Sequence, residues 1–179
     1  MPKNSAEIDF RPVTMADLPM LRAWMETPHW RQWWGEPGEE IGFIREMVKG
    51  RDTTRPFIFT VGDDPVGYIQ YWFVGEHQTD EWTGDYPWLL EFPADAIGVD
   101  ISIGQADRLS RGIGSKVLRQ FLGDLVEKGY ETIIIDPDPH NVRAIRAYTK
   151  AGFRPVVRLE GRYDGELIMQ YDNKSNELN

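Results

Sequence analysis

Between Ile8 and Val13 apolar and polar residues alternate, and just beyond them the spacing changes to Leu18, Leu21, Trp24 and Met25, one face of a helix. The pattern predicts a strand over 8–13 and a helix over 15–26, started by Thr14 with Asp17 three residues on in the manner of a cap. Ile41, Ile44, Met47 and Val48 repeat the helical spacing within 39–49, and Gly50 supplies a stop. Alternating runs over 55–61 and 66–74 flank Gly62-Asp63-Asp64-Pro65, whose residues favour a hairpin turn. The segment 75–95 keeps no period and mixes acids with rings, including Glu76, Asp80, Glu81, Trp82, Asp85, Tyr86, Trp88, Glu91 and Phe92. Connections of that length are usually functional or mobile, and the rings favour a recognition flap over a plain solvated acidic loop. From Ile97 to Gly152 the pattern reads strand, glycine turn, helix, strand, helix. A last hairpin is expected over 154–160 and 166–171, turning through 161–165, before a polar tail expected to fray.

The glycine turn changes the picture from architecture to chemistry. In Leu109-Ser110-Arg111-Gly112-Ile113-Gly114-Ser115 two glycines allow close backbone approach, and the helix that opens behind them directs unpaired N–H groups and the positive end of its dipole into the same space. A phosphate or pyrophosphate fits such a turn. A Walker loop would need a lysine after its last glycine and a dinucleotide fold a third glycine, and neither is present.

Composition narrows the partners. With no cysteine among 179 residues there is no disulfide framework, thiolate metal site or cysteine nucleophile, and His29, His77 and His140 are too scattered to suggest a metal. Seven tryptophans, seven tyrosines and eight phenylalanines supply a core for one domain, expected over 1–172, with 173–179 as a disordered tail. The net charge of -9 argues against a nucleic-acid surface and favours cationic partners. The first residues lack the apolar core of a signal peptide and no run reaches membrane-spanning length, so a cytoplasmic chain, monomeric or dimeric and without a membrane partner, is expected.

The turn "LSRGIGS" and the later "NVRAIRAYTKAGF" together resemble the GNAT superfamily of acetyl-CoA-dependent N-acetyltransferases. Adding "WRQWWG", "PVGYIQYW", "GVDISIG", "IIIDPDPHNVRAIRAYTKAGF" and "YDGELIMQ", the chain is similar from about Phe10 to Gln170 to the aminoglycoside 6'-N-acetyltransferases. It departs from the wider superfamily at Leu109, where Gln or Arg is usual, and at Ser110, where glycine is common. The resemblance implies an α/β (α+β) fold: a mixed, mostly antiparallel sheet with a central parallel strand pair, flanked by helices. It also implies acetyl-CoA as co-substrate, with no metal.

Acetyl-CoA brings a pyrophosphate, an amide-bearing arm and a thioester. The turn 109–115 would cradle the first, and backbone groups of Ile101, Ser102 and Ile103 would meet the rest if the central strands splay as in the resembled superfamily. Asn141 and Ala144, in the second signature, would lie against the coenzyme arm, with Asn141 otherwise capping its helix. An amine of lysine-like basicity is mostly protonated at neutral pH, so a base or a charged holder is needed. The resemblance puts Asp100, in "GVD", in that role, and Tyr148 as the acid that protonates the departing thiolate in a direct attack. For the acceptor it implies Trp33, Trp34, Trp82, Asp136 and Asp164 beside Asp100. Asp138 is expected instead to cap the following helix. Carboxylates converging on one cavity are costly unless a multiply charged cation enters, which suits an aminoglycoside accepting at its 6'-amine. Two alternatives stay open: another amine acceptor, such as a siderophore precursor, a polyamine or a protein N-terminus, and an acetyl-CoA-binding sensor without turnover.

Overall fold

Asp17 shows how local chemistry sets the first element boundaries. In the computed structural model, which describes residues 7–173, strand β1 (Ile8–Pro12) gives way at Thr14 to a 3-10 turn (Met15–Asp17) and only then to helix α1 (Leu18–Met25). The expected single helix is divided there because Pro19 has no N–H to give to the carbonyl of Met15. The Asp17 carboxylate accepts hydrogen bonds from the Thr14 N–H (2.8 Å) and hydroxyl (2.9 Å) and is held bidentately by Arg11 at 2.8 and 2.7 Å. The Arg11 hydrogen bonds outweigh the cost of burial and hold the carboxyl at about 2. A depressed carboxylate stabilises the fold above its unfolded value of 3.8, and this contribution is lost as pH falls through about 2. Asp17→Asn is therefore expected to lower stability near neutrality by ~1–3 kcal/mol. It should also flatten the acid limb between those two pH values, which urea melts across pH would read.

The remaining elements follow from equally local causes. Short helix α2 (Pro28–Arg31) and helix α3 (Pro37–Val48) both open on proline, whose missing N–H costs nothing at that position. Strands β2 (Arg55–Val61) and β3 (Asp64–Phe73) meet across Gly62-Asp63, a tighter turn than the four residues expected, with Gly62 at φ 63°. The register slips between Phe59, opposite Gly67, and Thr60, opposite Pro65, so Val66 is the extra residue of a bulge. Helix α4 (Asp80–Thr83), strand β4 (Ile97–Ile103), helix α5 (Ile113–Glu127), strand β5 (Ile133–Ile135), helix α6 (Val142–Ala151) and strands β6 (Phe153–Pro155) and β7 (Met169–Tyr171) complete the chain.

The strands are hydrogen-bonded in the order β1-β2-β3-β4-β5-β7-β6. β4 and β5 run parallel, joining Ile97 to Ile133 and Gly98 to Ile134, whereas β1–β2, β2–β3, β5–β7 and β6–β7 are antiparallel. The expected mixed sheet with a central parallel pair is therefore present. The residues group into two compact units, one formed by the chain up to Tyr71 with Asp100–Ile113, the other by Trp72–Val99 with the chain from Gly114 onward.

In the first unit, Leu18, Leu21 and Met25 of α1, Trp30 of α2 and Ile41 and Ile44 of α3 pack with Ile58 and Tyr68 of the strands. In the second, Val74, Trp88, Leu89, Phe92 and Ala96 pack with Ile134, Leu159 and Ile168. The segment 75–95 is thus no open flap along its whole length. Gln78 ties it down by donating its side-chain amide to the carbonyls of Leu89 (2.9 Å) and Phe92 (2.8 Å). Trp82, 43% exposed, and Leu90, 64% exposed, stay open to solvent on either side of the buried Trp88 and Leu89. The expected last hairpin is likewise shorter, because a 3-10 turn over Val157–Leu159 leaves the strand direction to bury Leu159. Of the expected tail 173–179, all but the first residue lies outside the described residues.

Candidate active site

In β3, Tyr68 and Gln70 lie two residues apart and so share a face. Tyr68 is fully buried, and its hydroxyl donates to Gln70 Oε1. The Gln70 amide in turn donates to Asp100 Oδ2 at 2.8 Å. Burial, and then the negative charges of Asp100, Glu40 and Asp52, push the phenol of Tyr68 well above its ordinary value. It therefore stays protonated and remains a donor, and the line of bonds ends on the carboxylate.

A second carboxylate belongs to this neighbourhood. Glu40, half-buried in the first turn of α3, is raised chiefly by desolvation, while a hydrogen bond from the Gly35 backbone lowers it and the charges of Asp100 and Glu39 raise it. Trp34 completes the face: its ring is 5.4 Å from that of Trp30 and stands edge-on to Tyr68 at 6.0 Å. Trp33 is half-buried beside it in sequence. Trp34 and Asp100 are thus joined through Tyr68 and Gln70. Tyr68, Gln70 and Glu40 were not among the candidates from sequence. The period-two pattern of "GYIQYW" was their one signal, since it already set Tyr68 and Gln70 on one face.

The glycine turn is left-handed at two positions, Ser110 at φ 59° and Gly112 at φ 74°. Ser110 thus adopts the backbone that the glycine common at its position would take. Turns of this kind gather successive N–H groups into an anion-binding concavity. Space is available, because a Cβ added to Gly112 would meet nothing within 4 Å. Leu109 is half-buried and Ser110, Arg111 and Gly112 are exposed. Ile113, Gly114 and Ser115, expected in the loop, form the first turn of α5 instead, and Ser115 is buried. Ile101, Ser102 and Ile103 are half-buried at the end of β4.

In the second unit Asn141 caps α6, accepting the N–H of Ala144 at 3.2 Å. Tyr148, two helical turns further on, is 9% exposed, with its ring edge-on to Phe153 at 6.2 Å. Asp136 is half-buried just beyond β5, and Asp164 is exposed in the turn between Gly161 and Gly165. Asp138 does not cap the following helix as expected, because Asn141 holds that position; its carboxylate instead accepts the His140 N–H at 2.8 Å, a local turn that holds the carboxyl below the usual range. The Glu166 carboxyl is raised by burial and by the charge of Asp138. Trp82 sets its ring edge-on to His77 at 4.9 Å, and His77 packs against Trp72 at 5.0 Å. Among the described residues no group of three or more His, Cys, Asp or Glu could hold a metal ion, and no helix is long and apolar enough to cross a membrane.

A sheet of this order, with its parallel pair and a left-handed glycine turn behind β4, defines a class, and comparison with known proteins agrees with it. The family model described as "Acetyltransferase (GNAT) domain" matches residues 13–160, and the chain belongs to that family. It is an acetyl-CoA-dependent N-acetyltransferase. It is 33% identical over 159 residues to the aminoglycoside N(6')-acetyltransferase type 1 of Klebsiella pneumoniae, covering 84% of this chain and 75% of that one. A kanamycin resistance protein of Rhizobium radiobacter is 40% identical over 67 residues, 37% of this chain and 62% of that protein. Among solved structures, AAC(6')-Ib in complex with paromomycin and acetyl-CoA superposes with a TM-score of 0.78 at 28% identity, over 96% of this chain and 97% of that one. The same enzyme with coenzyme A and kanamycin gives 0.76 at 29% identity, over 96% and 98%.

Proposed function

We propose that this chain transfers the acetyl group of acetyl-CoA to a primary amine of a cationic aminoglycoside, at the 6'-nitrogen, by direct attack. The observation that carries the reading is the bonded line from Tyr68 through Gln70 to Asp100, with the carboxylate of Glu40 feeling the same negative field. Two carboxylates that raise one another's cost of ionisation stabilise a cation that enters beside them. Aminoglycosides, polyamine-like sugars, supply several such charges, and similar enzymes are solved with paromomycin and kanamycin.

In this mechanism Asp100 holds the acceptor ammonium and takes its proton, directly or through a water. The freed nitrogen attacks the thioester carbonyl, forming the N–C bond, and the C–S bond breaks as the tetrahedral intermediate collapses. Tyr148 gives its phenolic proton to the departing sulfur. A phenol suits that task because its pKa lies close to that of a thiol. The turn 109–115 binds the diphosphate, backbone groups of Ile101 to Ile103 hold the amide arm, and Asn141 and Ala144 shape the start of the helix that presents Tyr148. Trp33, Trp34 and Trp82 offer ring faces to sugars and ammonium groups, while Asp136 and Asp164 add negative charge for the remaining amines.

The test is thiol release from acetyl-CoA with kanamycin, tobramycin, spermidine or a short peptide, each against a blank without acceptor. Saturable release with the aminoglycosides alone is the expected result. Release with spermidine or the peptide alone would move the acceptor to another amine class, and binding of acetyl-CoA without release would favour a sensor. Tyr148→Phe is expected to slow turnover by about 100-fold, the low end of the range for general acid catalysis. An unchanged rate across pH would leave that ring a packing role only.

A further inference from the structure

His29 sits in α2 and reaches across the first unit to the end of β4, where its Nε2 lies 2.8 Å from the carbonyl oxygen of Ile103. A carbonyl only accepts, so the hydrogen is on Nε2. Rigid elements carry this contact. Trp30, next in sequence and 1% exposed, anchors α2 in the core. Gly104 is covered so closely by the Trp24 ring that an added Cβ would fall 2.1 Å from it. The Gly104 N–H donates to Val66 O at 2.8 Å, and the carbonyl of Ser102 lies against Gly67 of the same neighbouring strand.

Backbone groups along a strand alternate between its two edges. Ser102 and Gly104 face β3, so Ile101 and Ile103 present theirs to the opposite edge. That edge is the one available to an extended amide chain. Its last carbonyl, Ile103, is already occupied by His29.

We propose that His29 is a positioning residue for the acyl-coenzyme: it closes the free edge of β4 at Ile103, so that the amide arm pairs with Ile101 and the Ile103 N–H and goes no further. The same bond links the coenzyme edge to the segment carrying Trp33 and Trp34, whose N–H groups both donate to Trp30 O at 3.1 Å. The role rests on the arm lying along β4, as the proposed function has it, and is independent of which amine accepts.

Calorimetric titration of the full chain with acetyl-CoA tests it without any acceptor. His29→Ala is expected to weaken acetyl-CoA binding about tenfold, equivalent to about 1.4 kcal/mol. His29→Gln, whose amide N–H can still donate to the carbonyl, should recover affinity to within about threefold of the unaltered chain, by the same relation. His29→Leu fills the volume without a donor and should behave like the alanine variant. Affinity unchanged in both Ala and Leu variants overturns the proposal, as does a glutamine variant no better than leucine at equal melting temperature. Failure of the unaltered chain to bind acetyl-CoA would overturn the coenzyme reading itself, and this role with it.

Discussion

Replacing Asp100 by asparagine is expected to cut aminoglycoside-dependent thiol release by about 100-fold or more, within the range that general base catalysis contributes. Acetyl-CoA affinity should stay within a few-fold of the unaltered chain. The substitution is clean because Gln70 donates to an Asp100 oxygen. Asparagine keeps an acceptor of the same reach, so the line from Tyr68 survives while charge and basicity are lost. A second readout follows from the field around Glu40, whose carboxyl is raised in part by Asp100. Removing that charge should move the Glu40 titration downwards, visible by carboxyl-carbon NMR. Near-normal turnover in the variant would remove Asp100 from the chemistry, whatever Glu40 does.

Gly112→Asp is expected to weaken acetyl-CoA binding by about 100-fold, an estimate that combines two penalties. The backbone at φ 74° is one that a side chain adopts only at a cost of ~1–2 kcal/mol. The new carboxylate would also repel the diphosphate that the proposed function places at this turn. Crowding adds little, since the added Cβ meets no atom within 4 Å. Gly112→Ala isolates the conformational part and should cost no more than about thirtyfold, the affinity equivalent of the upper end of that strain. Unaltered coenzyme affinity in the aspartate variant would contradict the assignment of this turn.

The glycine turn and the cap of α6 were legible in the sequence because their determinants are local. Gly112 and Ser110 lie within three residues of each other, and Asn141 reaches only to Ala144. The line from Tyr68 through Gln70 to Asp100 was not, because it is assembled over distance. Gln70 meets Asp100 thirty residues on, and Glu40 feels Asp100 across a longer separation still. Nothing in the helical pattern of α3 distinguishes Glu40 from its solvated neighbour Glu39. The segment 75–95 divides for another reason: its rings read as one aromatic stretch, yet Trp88 and Phe92 turn inward to complete a core that the short strands β5 and β7 leave unfinished, while Trp82 stays exposed. At the first helix the cap was legible, while the exact boundary depended on a single missing hydrogen at Pro19.

The order in which the chain builds its first unit has a consequence during synthesis. That unit closes only when Asp100–Ile113 joins the first seventy-one residues. Until the ribosome has released that segment, β3 offers Val66 O to no Gly104, His29 finds no Ile103, and Gln70 finds no carboxylate. A nascent chain at that stage carries an unpaired strand edge beside large apolar side chains, the condition under which newly made chains stick to one another. Slow translation just before β4 would prolong that interval, and chaperone dependence in the cell should follow the rate at which this one strand is delivered.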